Sequence, residues 1–240
     1  MHGTTPPVIP AELLLQAYRA GVFPMADSRE DPDLFWVEPR ERAIIPLETF
    51  RPSRSLRKVL RQDRYRVTCD TAFAKVIEAC AAPRREPGSA TTADSWISHR
   101  IEASYLALHR GGHAHSIECW RDDGGVPRLL GGLYGVAFDR VFCGESMFSR
   151  ADDASKVALA WLVATMRKAG FMVLDCQFMT DHLASMGAIA IPQGQYLARI
   201  ASAAGTTEHS LPLAFGSLYE EGVALGSPGK LIAQSFTQTS

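Results

Sequence analysis

The 240-residue sequence lacks the features that mark secreted, membrane-spanning and disulfide-rich proteins. Its five cysteines are scattered without CxxC spacing, and an odd number does not suggest a disulfide framework. No apolar run approaches ~20 residues, so we expect no membrane span. Residues 1–10 contain no apolar segment typical of a signal peptide. These absences, with unpaired cysteines that suit a reducing compartment, predict a cytoplasmic protein.

The sequence also lacks the common signatures of nucleotide, nucleophile and metal sites. It has no GxSxG elbow, no Walker loop and no GxGxxG that follows a strand-like run. His113 and His115 would share one face of a strand, but no HxxxH or Cys/His cluster supplies a third metal ligand. We therefore expect no metal and no bound cofactor.

The charges nearly cancel, with a net charge of −1 that predicts no polyanionic partner for the chain as a whole. One stretch departs from this balance: RPSRSLRKVLRQDRYR, residues 51–66, holds seven basic residues and a single acid. It predicts a helix capped by Ser53 or Ser55, with a basic face made of Arg54, Lys58 and Arg61 and flanked by Arg57. Such a face suits phosphate groups. The alternative is a solvated helix surface balanced by acids elsewhere.

A mixed α/β unit is predicted between residues 130 and 178. Two apolar strand-like runs, Leu130–Phe138 and Val141–Phe148, precede a helical pattern at Asp153–Lys168 and a third strand-like run at Phe171–Phe178. With 46% hydrophobic residues, the chain can bury a sizeable core around this unit.

Three polar side chains, Glu145, Asp175 and Gln177, interrupt the apolar runs of this unit. A carboxylate in such a run costs several kcal/mol unless it is paired. Two explanations fit the sequence: a hydrogen-bonded structural network, or a polar site at the bottom of an apolar pocket.

The composition of the turn before the predicted helix indicates which acyl donor such a site could use. A thioester-dependent acyltransferase holds the cofactor pyrophosphate on backbone N–H groups of a glycine-rich turn at the start of the central helix. Here the turn is Ser149–Asp153, which contains no glycine and carries two carboxylates. Ser149 and Asp152 are predicted to cap the helix. This composition argues against coenzyme A, although an N-acetyltransferase stays an alternative.

Several long sequence motifs occur together, in this order, in one known family. They are AYRAGVFPM (Ala17–Met25), SRSL (Ser53–Leu56), YRVTCDTAFAKVIEACA (Tyr65–Ala81), SWI (Ser95–Ile97), GHAHSIECW (Gly112–Trp120), FCGESMFSR (Phe142–Arg150), ASK (Ala154–Lys156) and LDCQ (Leu174–Gln177). Across residues 11–200 the chain resembles the leucyl/phenylalanyl-tRNA–protein transferases. The last forty residues show no convincing match, and we assign them no role.

The resemblance implies an activity and a fold. The family transfers Leu, Phe or Met from aminoacyl-tRNA to the α-amino group of proteins that begin with Arg or Lys, which marks them for the bacterial N-end rule pathway of protein degradation. It implies an α/β (α+β) fold with a GNAT-like catalytic lobe, a mixed sheet with flanking helices, and a smaller N-terminal α+β lobe. We place these lobes at residues 94–226 and 1–82, with a disordered tail at 227–240.

The resemblance also assigns site residues. The catalytic residues match Glu145, Asp175 and Gln177. The apolar amino-acid pocket maps onto Leu133, Ser146, Met147, Leu162 and Leu174. Trp36 and Trp96 match the residues that flank the terminal adenosine, and the basic face of Arg54, Arg57, Lys58 and Arg61 becomes the surface for the tRNA acceptor stem.

The expected partners are therefore aminoacyl-tRNA and a protein substrate, with no membrane and with a monomer as the favoured state. An activated ester needs neither ATP nor metal. A non-catalytic tRNA-binding module is a further alternative, but it gives no reason for the three polar residues.

Overall fold

The computed structural model describes residues 8–85 and 92–237. The helices in these ranges are α1 (Ala11–Arg19), α2 (Arg54–Arg61), α3 (Phe73–Ala81), α4 (His99–Arg110), α5 (Ala154–Ala169), α6 (Asp181–Ser185), α7 (Gln193–Ser202), α8 (Leu211–Ala224) and α9 (Pro228–Ser235). The strands are β1 (Phe23–Met25), β2 (Phe35–Val37), β3 (Glu41–Ile45), β4 (Arg66–Cys69), β5 (Arg84–Arg85), β6 (Thr92–Ala93), β7 (Ala114–Asp123), β8 (Val126–Phe138), β9 (Val141–Ser149), β10 (Val173–Gln177) and β11 (Ile189–Pro192).

Seven of these strands form one mixed sheet in the order β11-β3-β10-β9-β8-β7-β4. Neighbouring strands are antiparallel except β9 and β10, which are parallel and are connected through α5. A parallel pair needs such a crossover because a short turn cannot return the chain to the same end of the sheet. Two small pairs, β1–β2 and β5–β6, lie outside the main sheet.

Helices cover both faces of the sheet, which therefore has two apolar cores. Along β8 and β9 successive side chains alternate between faces: Leu133 and Phe142 join one cluster, Tyr134 and Cys143 the other. The first cluster contains buried residues of α2, α5, α8 and α9, and the second contains those of α1, α3, α4 and α7. This arrangement explains why the central strands are apolar on both sides.

The predicted central unit is confirmed. Its three strands and its helix are β8, β9, β10 and α5, with ends that differ from the sequence pattern by a few residues. The α+β class, a mixed sheet with flanking helices, is confirmed as well, whereas the likeness to the acetyltransferase fold stays a prediction. No helix within the described ranges is long and apolar enough to cross a bilayer.

The division into lobes at residues 1–82 and 94–226 stays a prediction. β3 and β4 lie before the boundary, yet both hydrogen-bond to strands that follow it. Residues 86–91, which lie between the two predicted lobes, are outside the described residues.

The expectation of a disordered tail from Ser227 is wrong for the residues that the structure describes. Helix α9 begins with Pro228 at its first turn, and the Ser227 hydroxyl accepts a hydrogen bond from the backbone of Lys230. Ile232, Ala233 and Phe236 are buried in the first core. Composition suggested disorder because few apolar residues are present, but those few lie on one face.

The basic helix is confirmed as α2. The Ser53 hydroxyl accepts a hydrogen bond from the Leu56 backbone at 3.2 Å, so Ser53 is the cap. Leu56, Val59 and Leu60 are buried, and they anchor the helix on the first core. The opposite side of the helix consequently faces solvent.

Candidate active site

A cavity of about 690 Å³ opens where two central strands stop pairing. β9 and β10 are paired from Val141–Val173 to Cys143–Asp175, and the pairing ends there although both strands continue. The cavity is lined mainly by Phe23, Met25, Trp96, Leu133, Glu145, Ser146, Met147, Leu159, Leu162, Leu174, Gln177 and Phe178. Its walls are thus largely apolar, as is typical of a small-molecule site.

Glu145 reaches this cavity from an irregularity in β9. Tyr134 pairs with Ser146 and Gly135 with Gly144, so Glu145 is the additional residue of a β-bulge. A side chain at position 135 would not fit, since its Cβ would lie 2.2 Å from the Cys143 carbonyl oxygen. The bulge turns the Glu145 carboxylate out of the regular alternation of the strand.

The Glu145 carboxylate is only 6% exposed and accepts three side-chain hydrogen bonds. Tyr18 Oη donates to Oε1 at 2.8 Å, Tyr105 Oη to Oε2 at 3.1 Å and Gln177 Nε2 to Oε1 at 2.7 Å. Burial raises the pKa of Glu145 to about 7, although the bonds from the two tyrosines act in the opposite direction. Glu145 can therefore change its charge close to neutral pH.

Gln177 is held through its backbone as well as its side chain. Its φ of +59° lies in the left-handed region, which costs a non-glycine residue roughly 1–2 kcal/mol. The backbone N–H donates to Asp175 Oδ1 at 2.9 Å, and this bond supports the unusual turn. Because Nε2 donates to Glu145, the amide oxygen of Gln177 is left as an acceptor, and the described residues provide no donor to it.

Asp175 is fully buried, and the cavity does not reach it. Arg42 binds both of its carboxylate oxygens, at 2.8 and 2.7 Å, and Tyr196 Oη donates to it at 3.1 Å. The Arg42 guanidinium lies between the rings of Phe23 and Tyr196, 4.8 and 4.5 Å from their centroids. Asp175 is thus the link between a buried cation and the backbone of Gln177.

The structure brings the predicted apolar pocket together. Leu133, Ser146, Met147, Leu162 and Leu174 all line the cavity. The first three come from β8 and β9, Leu162 from α5 and Leu174 from β10. Whether they hold an amino-acid side chain stays a prediction.

The two predicted tryptophans occupy different positions. Trp96 is half-buried and lines the cavity, whereas Trp36 is 43% exposed and does not. Both contact the segment around β1, which lines the cavity: Trp36 pairs with Pro24 of the strand, and the Trp96 carbonyl accepts a 3.2 Å hydrogen bond from the backbone of Ala26, the residue after it. Their predicted role at the adenosine stays a prediction.

Sequence reasoning missed the residues that surround the polar trio. The buried charge of Arg42 carried a signal, because a basic residue interrupts the apolar strand ERAII. Tyr18, Tyr105 and Tyr196 carried none, since buried aromatic residues in amphipathic helices usually serve only as core. Phe23 and Met25, which line the cavity, belong to the three-residue strand β1.

Among the described residues, no acidic side chain pairs with the basic face of α2. Arg54, Lys58 and Arg61 are exposed, and none of the ion pairs in the described part of the chain involves them or Arg57. Arg57 Nε is buried without an acceptor among the described residues. The same ranges contain no group of three or more His, Cys, Asp or Glu placed to hold a metal.

The Ser149 prediction is confirmed in part. Its hydroxyl accepts a hydrogen bond from the Ser155 backbone at 3.3 Å and donates to the Ala151 carbonyl at 2.8 Å. Asp153 precedes α5 in the left-handed conformation, with φ +63°. In the described hydrogen bonds, Asp152 takes part only through its carbonyl, which accepts a bond from Tyr65 Oη.

Comparison with known proteins identifies relatives over the whole chain. Residues 44–201 match the family model described as leucyl/phenylalanyl-tRNA protein transferase, and residues 9–40 match the model of its N-terminal domain. The transferase of this name from Novosphingobium aromaticivorans is 54% identical over an alignment that spans all of both chains. Its counterpart from Rhizorhabdus wittichii is 56% identical over 82% of this chain and 76% of the relative.

Solved structures are more distant. A functionally unknown conserved protein from Staphylococcus epidermidis covers 78% of this chain and 66% of its own, with 8% identity and a TM-score of 0.39, too low to establish a common fold. The sequence relatives are decisive by contrast, since the family model covers residues 44–201 and the 54% identity to a named relative extends over the full length of both chains. The chain belongs to the leucyl/phenylalanyl-tRNA–protein transferase family and is an aminoacyltransferase.

Proposed function

We propose that this protein transfers Leu, Phe or Met from aminoacyl-tRNA to the α-amino group of cytoplasmic proteins that begin with Arg or Lys, and so marks them for N-end rule degradation. One observation carries the proposal: the apolar cavity ends at the hydrogen-bonded pair of Glu145 and Gln177, in a chain of this family. An apolar amino acid and an amine can meet there.

The donor amino acid is held by the apolar walls. Leu133, Leu162 and Leu174 surround its side chain, and Met147 adapts the pocket to Leu, Phe or Met because its thioether chain is flexible. Such a pocket distinguishes ligands by only ~1–3 kcal/mol per methylene. Rejection of Ile and Val depends instead on shape next to the branched Cβ.

The reaction is aminolysis of an ester. The neutral α-amine of the acceptor attacks the ester carbonyl carbon, a C–N bond forms, and the C–O bond to the terminal ribose breaks. The proton lost by the amine ends on the ribose hydroxyl that leaves, so the balance requires no further reactant. With an amine pKa near ~8, much of the acceptor is already neutral, and positioning can supply a large part of the catalysis.

Gln177 aligns the amine. Its amide oxygen accepts a hydrogen bond from the attacking nitrogen, while Nε2 stays bound to Glu145. Asp175 orients Gln177 by accepting the hydrogen bond of its backbone, and its enclosed pair with Arg42 argues against a direct role in attracting the acceptor. Glu145 holds the network, and near its pKa it can also relay the proton.

The tRNA approaches along α2. Arg54, Lys58 and Arg61 contact acceptor-stem phosphates, a role that their exposure and lack of acidic partners support. The end of this region is close to the start of α5, since Tyr65 Oη donates to the Asp152 carbonyl at 2.7 Å. Trp96 and Trp36 stack on the terminal adenosine, a role supported by the position of Trp96 at the cavity and of Trp36 on the strand that pairs with β1.

A transfer assay tests the proposal. The protein is mixed with radiolabelled Phe-tRNA and a peptide that begins with Arg, and parallel reactions contain ribonuclease, acetyl-CoA in place of the tRNA, Ile-tRNA, or a peptide that begins with Ala. We expect label in the Arg peptide only, with loss of transfer after ribonuclease treatment and far less transfer from Ile-tRNA than from Phe-tRNA. Acetylation of the peptide, or tRNA binding without transfer, would contradict the proposal.

A further inference from the structure

The two C-terminal helices follow the last residue that the transferase family model matches, residue 201. α8 and α9 form a compact pair joined by residues 225–227. A Cβ at Gly222 would lie 2.4 Å from Pro228 Cα, so the start of α9 is pressed directly against α8. The pair packs on the rest of the protein through two separate contacts.

The first contact joins α9 to the basic helix α2. The carboxylate of Asp63, just beyond the end of α2, accepts a 2.7 Å hydrogen bond from the Gly229 backbone and another from the Ser227 hydroxyl. A Cβ at Gly229 would lie 2.0 Å from the Leu60 carbonyl oxygen. Even one methyl group would therefore force the two helices apart.

The second contact joins the pair to α5, the helix that lines the cavity with Leu159 and Leu162. Trp161 of α5 packs on Phe215 of α8, with ring centroids 5.1 Å apart. After α9, Phe236 lies beneath the guanidinium of Arg167, 4.9 Å from its ring. The helix pair thus holds α2 and α5 at once.

We infer that α8 and α9 form a positioning clamp for aminoacyl-tRNA: they fix the basic helix α2 relative to the cavity helix α5. The inference depends on the proposed tRNA contact of α2. The acceptor stem and the 3′ end belong to one covalent molecule, so both sites can be filled together only at one separation. A small displacement of α2 therefore weakens the binding of tRNA without changing the shape of the cavity.

Gly229→Ala tests the clamp, with Gly216→Ala in α8 as its matched control, because a Cβ at Gly216 meets no atom within 4 Å. Each variant is assayed with Phe-tRNA and with 3′-O-phenylalanyl-adenosine, which reaches the cavity without touching α2. For Gly229→Ala we expect KM for Phe-tRNA to rise about tenfold, while transfer from the small donor changes less than about twofold. For Gly216→Ala we expect KM and transfer with both donors to equal those of the wild type.

Asp63→Asn provides a second test, in which the direction of the change in KM for Phe-tRNA distinguishes two explanations. If Asp63 acted only as a negative charge near α2, its removal would favour tRNA and lower KM. The clamp predicts the opposite, because Ser227 and Gly229 donate to different carboxylate oxygens, and an amide replaces one of these oxygens with an NH2 group that cannot accept a hydrogen bond. We expect KM for Phe-tRNA to rise while the small donor is unaffected.

The outcomes separate this inference from the proposed function. If Lys58→Glu combined with Arg61→Glu leaves KM for Phe-tRNA unchanged, the tRNA contact of α2 is refuted and the clamp with it. If that double variant raises KM but Gly229→Ala does not, the clamp alone is refuted. Parallel loss with both donors in Gly229→Ala, or a lowered KM in Asp63→Asn, also overturns the clamp.

Discussion

Gln177 Nε2 and Glu145 Oε1 are joined by a 2.7 Å hydrogen bond across the gap where β9 and β10 separate. Neither residue lies in regular strand geometry, since Glu145 occupies a bulge and Gln177 a left-handed turn. Irregular backbone of this kind is costly and is found preferentially at functional sites. The pair is consequently the first target for experiments.

Replacement of Gln177 should affect turnover more than tRNA binding. Gln177→Ala removes the acceptor that aligns the amine, so we expect kcat to fall about 100-fold while KM for Phe-tRNA changes little. Steady-state kinetics with Phe-tRNA measure both. Gln195→Ala, the same change at an exposed position of α7, is the control. Equal losses in kcat and in affinity for tRNA would exclude a positioning role.

The pKa of Glu145 predicts a pH dependence of transfer. Above its pKa of about 7 the carboxylate is ionised and binds Gln177 Nε2 most strongly, so kcat/KM should rise as the pH passes 7. The Glu145→Gln variant has no carboxylate at this position. Its pH profile of kcat/KM should therefore show only the titration of the acceptor α-amine near ~8. Profiles corrected for spontaneous ester hydrolysis provide the comparison. Identical profiles in the two proteins would show that Glu145 does not control the rate.

The same group makes stability depend on pH. Burial raises the pKa of Glu145 from 4.5 to about 7, so between these values the folded state binds more protons than the unfolded state. The free energy of unfolding contributed by Glu145 is therefore fully present below pH 4.5 and is lost as the pH rises through 7. Relative to Glu145→Gln, the free energy of unfolding of the wild type should fall by about 3 kcal/mol as the pH rises across this range. Urea unfolding of both proteins at the two ends of this range measures the difference, and a difference that does not change with pH would contradict it.

The buried pair of Arg42 and Asp175 should matter for both stability and turnover. Arg42→Met leaves a carboxylate buried without its cation, which costs about 3–5 kcal/mol of unfolding free energy. Arg19→Met is the control, because Arg19 is 48% exposed and its pair with Asp139 should contribute at most about 1 kcal/mol.

A double variant separates the two effects of that pair. Adding Asp175→Leu to Arg42→Met removes the uncompensated charge, so thermal unfolding should show partial recovery of stability. Turnover should stay low, since the Gln177 backbone has lost its acceptor. Recovery of turnover together with stability would mean that Asp175 does not orient Gln177.

Local patterns were sufficient to predict the central strands, α5 and the basic helix. Period-two and helical spacing record which side of an element is buried, and α2, β8 and β9 follow those rules. The same rules drew attention to Glu145, Asp175 and Gln177, because each breaks an apolar run.

What the sequence could not provide is the long-range pairing. Arg42 and Asp175 are separated by 133 positions, and Tyr18 reaches Glu145 across 127. Such partners are selected by the packing of whole elements, which no local pattern records. The position of the Glu145 carboxylate and the helix at 228–235 escaped for the same reason, since Glu145 is bound by Tyr18 and the helix by Asp63, both distant in sequence.

The separation of β9 and β10 has a consequence for how this protein could diversify. The groups that would carry out transfer lie at Glu145 and Gln177, whereas the apolar walls come from other positions of the strands and from α5. Exchange of a wall residue such as Met147 or Leu162 would alter the range of amino acids accepted without touching the polar pair. Donor preference and chemistry can therefore evolve as separate traits on one scaffold.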